Sequence, residues 1–144
     1  MSEQNKAVIR RIVEDHWNKK NPPLVSELFD AKVVIHTPDG TLQGHEGAKQ
    51  LLAAYTTAFP DFRLNIEDLL SDGDKVTLRW TFTGTHKGVL AGIAASGKKV
   101  NVQGNIGIFQ LADGKAMELR LMWDKYVLMQ QIGALSLSSQ ASGR

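Results

Sequence analysis

Lys75-Val76-Thr77-Leu78-Arg79-Trp80-Thr81-Phe82-Thr83 decides the fold class, because apolar and polar residues alternate along its whole length. A period of two marks a strand with one face in a core. Val76, Leu78, Trp80 and Phe82 fall on that face, and Lys75, Thr77, Arg79, Thr81 and Thr83 on the other. The alternation continues on both sides. Upstream, Phe62, Leu64, Ile66 and Leu69 predict a strand that turns through Asp72-Gly73-Asp74. Downstream, the glycine- and alanine-rich residues 84–98 predict an irregular rim or lid. A long strand follows over Lys99 to Leu111, then a turn at Ala112-Asp113-Gly114, then a last strand over Gly114 to Tyr126. By parity Glu118, Arg120, Met122, Asp124 and Tyr126 share one face of that last strand unless a bulge intervenes.

Before Phe62 the period is helical. Val8, Ile9, Ile12, Val13, His16 and Trp17 predict an amphipathic first helix, capped near Ser2 and stopped before Pro22-Pro23. A short second helix starts at Pro23 and buries Leu24, Leu28 and Phe29. Ala31 to His36 reads as a β-branched strand closed by the turn Thr37-Pro38-Asp39-Gly40. Gly44-His45-Glu46-Gly47 opens a third helix, with Ala48, Leu51, Leu52, Tyr55 and Phe59 at helical spacing and Pro60 at its end. Three helices followed by a mostly antiparallel meander belong to the α+β class. Strong curvature of such a sheet would make a cone whose interior is a pocket.

The chain has 144 residues, which predicts one domain over 1–135, with a small polar tail, 136–144, expected to be disordered. Net charge is +2, and its 17 basic residues form no stripe, so a nucleic-acid partner is not expected. No apolar run reaches the roughly 20 residues of a membrane helix. With no cysteine, disulfides, thiolate metal sites and cysteine nucleophiles are excluded, and a cytoplasmic protein is expected. The four histidines show no metal-ligand spacing, and there is no nucleophile elbow, phosphate loop or dinucleotide fingerprint.

Asp124 is a carboxylate late in an aromatic and aliphatic strand. It is either a surface anion or a group placed for acid–base work, desolvated by Met122, Trp123 and Tyr126. His36 either faces the pocket, holding a carbonyl or a water, or caps a turn. Trp80 and Phe82 read as core or as the floor of a pocket for a flat substrate. Gln103 and Asn105 share a face, and inside a dry core they need partners. Trp17 packs on the sheet or closes the cone mouth.

Several spaced motifs now agree: Ala58-Phe59-Pro60-Asp61-Phe62, Ile66 to Val76, Arg79-Trp80-Thr81-Phe82-Thr83-Gly84-Thr85-His86, Gly88 to Gly92, Asp113-Gly114-Lys115, and Trp123-Asp124 with Gln130-Gln131-Ile132-Gly133. Together they resemble the NTF2-like superfamily, and more closely its SnoaL-like polyketide cyclase branch. The resemblance implies an NTF2-like cone, with three N-terminal helices on a strongly curved, mostly antiparallel sheet. It implies a cofactor-free, metal-free enzyme that closes rings by intramolecular aldol chemistry on an apolar, carbonyl-bearing small molecule. Asp124 matches the general acid/base position, with His36 assisting. Substrate contacts are expected from Trp80, Phe82, Asn105, Trp17, Tyr55 and Met122. A homodimer or homotetramer through the sheet is expected. The isomerase base, an aspartate before the proline, is replaced here by Thr37. Water addition as in epoxide hydrolases needs an Asp–Arg–Asp set, started here only by Asp124 with Arg79 or Arg120. A non-catalytic ligand-binding module is the alternative of another class.

Overall fold

The computed structural model describes residues 2–134. The Ser2 side chain, expected to cap the first helix, and residues 135–144, including the expected tail, lie outside the described residues. Helix α1 (Ser2–Arg11) carries Glu3 in its first turn and Arg10 and Arg11 in its last, both favourable to the helix dipole. It passes into a π-helical turn, Ile12–Trp17, whose Ile12, Val13, His16 and Trp17 are buried. A 3₁₀ turn, Pro22–Leu24, leads into the one-turn α2 (Val25–Leu28). Then follow β1 (Phe29–Thr37), β2 (Gly40–Gln43), α3 (Gly44–Ala58), β3 (Arg63–Asp72), β4 (Lys75–Thr85), β5 (Lys99–Ala112), β6 (Lys115–Met122) and α4 (Lys125–Gln131).

The six strands form one sheet in the order β2-β1-β6-β5-β4-β3. All neighbours are antiparallel except β1 and β6. Register breaks interrupt every long pair, including β3–β4 between Ile66 and Asp68, β4–β5 between Trp80 and Phe82, and β5–β6 between Gln110 and Leu111. Each break bends its strand and increases the local twist, which is how a sheet of this length curls around the helices. One continuous core joins Ile9, Ile12 and Val13 to Leu52 and Ala58 of α3 and to Val76, Leu78, Phe109 and Leu119 of the sheet.

Three expectations need correction. The last strand stops at Met122, and Asp124 is the N-cap of a fourth helix, so Tyr126 is helical and shares no strand face with Asp124. The four-residue β2 was not expected; it pairs with β1 across the Pro38-Asp39 turn. Gln103 and Asn105 do not share a face. Gly104 has φ +78°, a left-handed value that glycine tolerates, and the extra residue at this bulge inverts the parity of β5. Val100 and Val102 point inward before it, Asn105, Gly107 and Phe109 after it, and Gln103 is left exposed.

Candidate functional site

The concave side of the sheet and α3 enclose a cavity of about 70 Å³. Its wall is almost wholly apolar: Trp17 from the π-turn, Leu51, Leu52 and Tyr55 from α3, Phe62 and Leu64 at the start of β3, Trp80 and Phe82 from β4, Val102 and Asn105 from β5, Leu121 from β6, and Trp123 and Leu128 at the β6–α4 corner. Helical spacing on α3 and strand alternation on β4 put these side chains in one place. Trp17 is held there by its neighbour: Asn18 donates to the Leu64 carbonyl at 2.9 Å, and the Leu64 N–H donates back to Asn18 Oδ1 at 2.7 Å.

The aromatic rings make a connected wall. Tyr55 meets Phe82 edge-on at 5.9 Å and Trp123 edge-on at 5.6 Å, and Phe62 stacks on Phe82 at 5.6 Å. Such arrangements suit the ring quadrupoles. The volume is well below the roughly 300–1,000 Å³ typical of drug-sized ligand sites. A guest of more than one or two rings therefore requires the wall to move.

Polar groups at the cavity are few. Asn105 is fully buried, and its amide donates to the Trp80 carbonyl at 3.2 Å and the Val102 carbonyl at 2.9 Å. Its Oδ1 accepts the backbone N–H of Asp124 at 3.2 Å. Both amide hydrogens are thus committed, and the residue fixes the β5 bulge to the α4 corner. Burial drives the Tyr55 phenol well above its ordinary value of 10; the Asp39 charge adds to the rise and the Trp123 indole opposes it. Trp123 Nε1 is buried, with no hydrogen-bond partner among the described residues.

Of the residues singled out from the sequence, Trp17, Tyr55, Trp80, Phe82 and Asn105 lie in this wall. Asp124 stands beside it: its chain neighbour Trp123 and the Asn105 that holds its N–H both line the cavity. Its carboxylate is exposed, and Oδ1 accepts the Val127 N–H at 3.0 Å as a helix cap. Met122 is on the opposite face of β6, 57% exposed, because a bulge at Met117 turns Leu119 and Leu121 inward and Glu118, Arg120 and Met122 outward. His36 is also outward. Val33 and Ile35 occupy the core face of β1, so His36 meets Glu118 on the convex side at 2.7 Å, and Arg120 donates to the same carboxylate oxygen at 3.1 Å. Together they hold the Glu118 carboxyl below its usual range, the His36 hydrogen bond being the larger cause. Arg79 pairs outside with Asp68 at 2.7 Å. Among the described residues no arginine lines the cavity, so these supply none of the arginine that water-addition chemistry would use there. No cluster of three or more metal-ligating side chains occurs among the described residues.

The sequence reading missed Trp123 as a wall residue. It lies two positions after inward Leu121 and keeps that inward direction past the end of β6.

Comparison with known families now decides the classification. The model of the SnoaL-like polyketide cyclases matches residues 7–132. The chain belongs to the SnoaL-like polyketide cyclase family. Among solved structures, it resembles a candidate SnoaL-like polyketide cyclase from Jannaschia sp. CCS1 at 25% identity and TM-score 0.86, over 94% of this chain and 95% of that one. TsrD from Streptomyces laurentii is 27% identical with TM-score 0.83, over 92% and 97% of the two chains. A candidate polyketide cyclase from Bacillus cereus ATCC 10987 is 32% identical with TM-score 0.76, over 90% and 80%. No curated protein matches the chain. The α+β cone of the SnoaL-like family is therefore the fold of this protein, as its alternation and helical periods predict. No helix among the described residues is long and apolar enough to cross a membrane.

Proposed function

We propose that this SnoaL-like protein binds a flat, apolar, carbonyl-bearing molecule in the aromatic cavity and closes a ring on it, with Asp124 as the proton-transfer group. The observation that carries the reading is the position of Asp124 at the cavity margin, tied through its N–H to Asn105 in the wall. One carboxylate oxygen caps α4; the other makes no hydrogen bond among the described residues and is available to a substrate. In the reaction, that oxygen removes a proton from carbon between two carbonyls. The carbanion forms the new carbon–carbon bond at a second carbonyl, and the resulting alkoxide takes the proton back from Asp124.

Asp124→Asn is a clean test, because asparagine caps a helix about as well as aspartate. Incubation with an aromatic ester carrying adjacent ketone groups, followed by mass and absorbance detection of the cyclised product, should show turnover by the wild type. The variant should lose at least about a hundredfold. Equal rates would remove Asp124 from the chemistry.

A second reading, binding without turnover, is favoured by one observation: among the described residues Tyr55 is the sole titratable side chain in the wall. Saturable ligand binding with no product from any ring-closing substrate would select it. Self-association through the convex sheet also belongs to this proposal. Ile106 (44% exposed), Ile108 (43%) and Met122 (57%) lie on adjacent strands there, with Ile106 opposite Met122. Light scattering should give at least a dimer mass; a monomer would contradict the assembly.

A further inference from the structure

The cavity wall carries several hydrogen-bond donors for which the described residues offer no acceptor: the indole N–H groups of Trp17, Trp80 and Trp123 and the Tyr55 hydroxyl. Trp123 Nε1–H is buried and makes no hydrogen bond of ordinary geometry among the described residues, although it acts on the Tyr55 hydroxyl oxygen enough to oppose the rise of that phenol; such a donor, shut away from water, is in an unfavourable state. The Tyr55 ring stands edge-on to Trp123, with ring centres 5.6 Å apart, in the same wall. Among the described residues no acceptor takes the Tyr55 hydroxyl proton, and burial with the nearby Asp39 charge keeps that hydroxyl protonated. Asn105 has spent both its amide hydrogens on the Trp80 and Val102 carbonyls. Of the remaining donors, Trp123 is the indole wholly shut away from water without a partner, and Tyr55 stands beside it.

The charge at this end of the cavity restricts the guest further. Among the described residues the wall holds no lysine, arginine or histidine to neutralise an anion. The charge that acts on Tyr55 is the Asp39 carboxylate, itself paired with Lys125. A ligand carboxylate would lose its hydration without an ionic partner, whereas a ketone or ester oxygen needs only donors.

We infer that Trp123 Nε1–H and the Tyr55 hydroxyl form an acceptor-oxygen subsite, which selects neutral carbonyl ligands of one or two rings and rejects their carboxylate analogues. This rests on the reading of the cavity as a ligand site and adds the residues that set its specificity. Trp123 and Tyr55 act as positioning residues for that oxygen, independently of any proton transfer by Asp124.

The test uses the full chain and three small probes: 1-indanone, indane and indane-1-carboxylate. Ligand-detected NMR titration gives their affinities, and a ¹⁵N-labelled sample reports the three tryptophan indole N–H signals. Indanone should bind about tenfold more tightly than indane, since a site with a dedicated donor discriminates against a guest lacking the acceptor. Indane-1-carboxylate should bind no more tightly than indane. One indole signal should move downfield with indanone and not with indane, and it should be the signal missing in Trp123→Phe. Whatever its affinity for indane, that variant should lose most of the preference for the ketone over indane. If Trp123→Phe does not fold, Tyr55→Phe reads the same preference, and the wild-type titrations stand alone. Equal affinities for indane and indanone, tighter binding of the carboxylate, or an unmoved indole signal overturns the inference. Absence of binding by all three probes overturns it together with the cavity reading. Ketone preference with no ring-closing activity leaves the subsite standing and removes only the catalytic reading.

Discussion

Asn105 Oδ1 accepts the backbone N–H of Asp124 at 3.2 Å, so one buried amide connects the bulge of β5 to the corner where β6 becomes α4. The bond spans 19 residues of sequence and fixes the Asp124 backbone beside Asn105 of the cavity wall.

Asn105→Leu tests that connection. Leucine matches the buried volume closely but leaves the Trp80 and Val102 carbonyls and the Asp124 N–H without their partner. Unpaired buried groups cost about 1–3 kcal/mol each where water cannot reach them. Urea denaturation should show a loss of roughly 2–4 kcal/mol. A loss below about 0.5 kcal/mol would mean that relaxation at the bulge supplies other partners.

The cap role of Asp124 separates from any chemical role by substitution. Asp124→Ala removes the acceptor for the Val127 N–H and should destabilise the protein by about 1 kcal/mol, while Asp124→Asn should change stability by only a few tenths. Thermal denaturation of the two variants beside the wild type reads the difference. Equal destabilisation would show that charge at the N-terminus of α4, rather than the hydrogen bond, is what matters.

These variants also mark where sequence reasoning succeeded and where it stopped. The β4 alternation put Trp80 and Phe82 on the inward face of the sheet, and helical spacing on α3 did the same for Tyr55, because a long periodic segment has one face that can be buried. The face of a strand beyond a bulge is not readable from spacing alone. Gly104 carried the signal for the β5 inversion, yet a lone glycine in a strand is ambiguous without its partner strand. The apparent alternation through Tyr126 continued by coincidence into a helix, which is why Asp124 looked like a strand residue. His36 was misplaced because one β-branched run does not say which of its two faces meets the core.

Acid should loosen the first helix before other parts of the fold. His16 is fully buried, with Nδ1 3.0 Å from the Asn21 carbonyl and Nε2 unpartnered among the described residues. Burial lowers its pKa below the usual 6.5, more than the Asn21 hydrogen bond raises it. The unfolded chain then binds more protons than the folded one once pH falls below about 6.5, so stability is complete above that point and declines below it. Denaturation midpoints at pH 8, 7, 6 and 5 should fall towards acid, and the fall should be shallower in His16→Leu. Parallel pH profiles for the two proteins would assign the acid sensitivity elsewhere.

The 86–98 segment should depend on one glycine more than on the others. Gly88 lies against the end of α3, where its N–H and that of Lys87 donate to the Ala58 carbonyl at 3.2 and 2.9 Å. A Cβ at Gly88 would lie 2.0 Å from the Thr57 carbonyl oxygen and 2.8 Å from its carbon, and backbone cannot swing aside as a side chain can. Gly97 is the control: its φ of +74° disfavours other residues, but a Cβ there meets nothing within 4 Å. Gly97→Ala should therefore cost about 1 kcal/mol through backbone conformation alone. Gly88→Ala should cost roughly 1–3 kcal/mol by overpacking and detach the segment locally. Amide exchange should accelerate at His86, Leu90 and Ile93, whose N–H groups bond within the segment or to Lys98, while the α3 interior stays protected. If both variants lose the same stability with unchanged exchange, the contact with α3 is not what holds this segment in place.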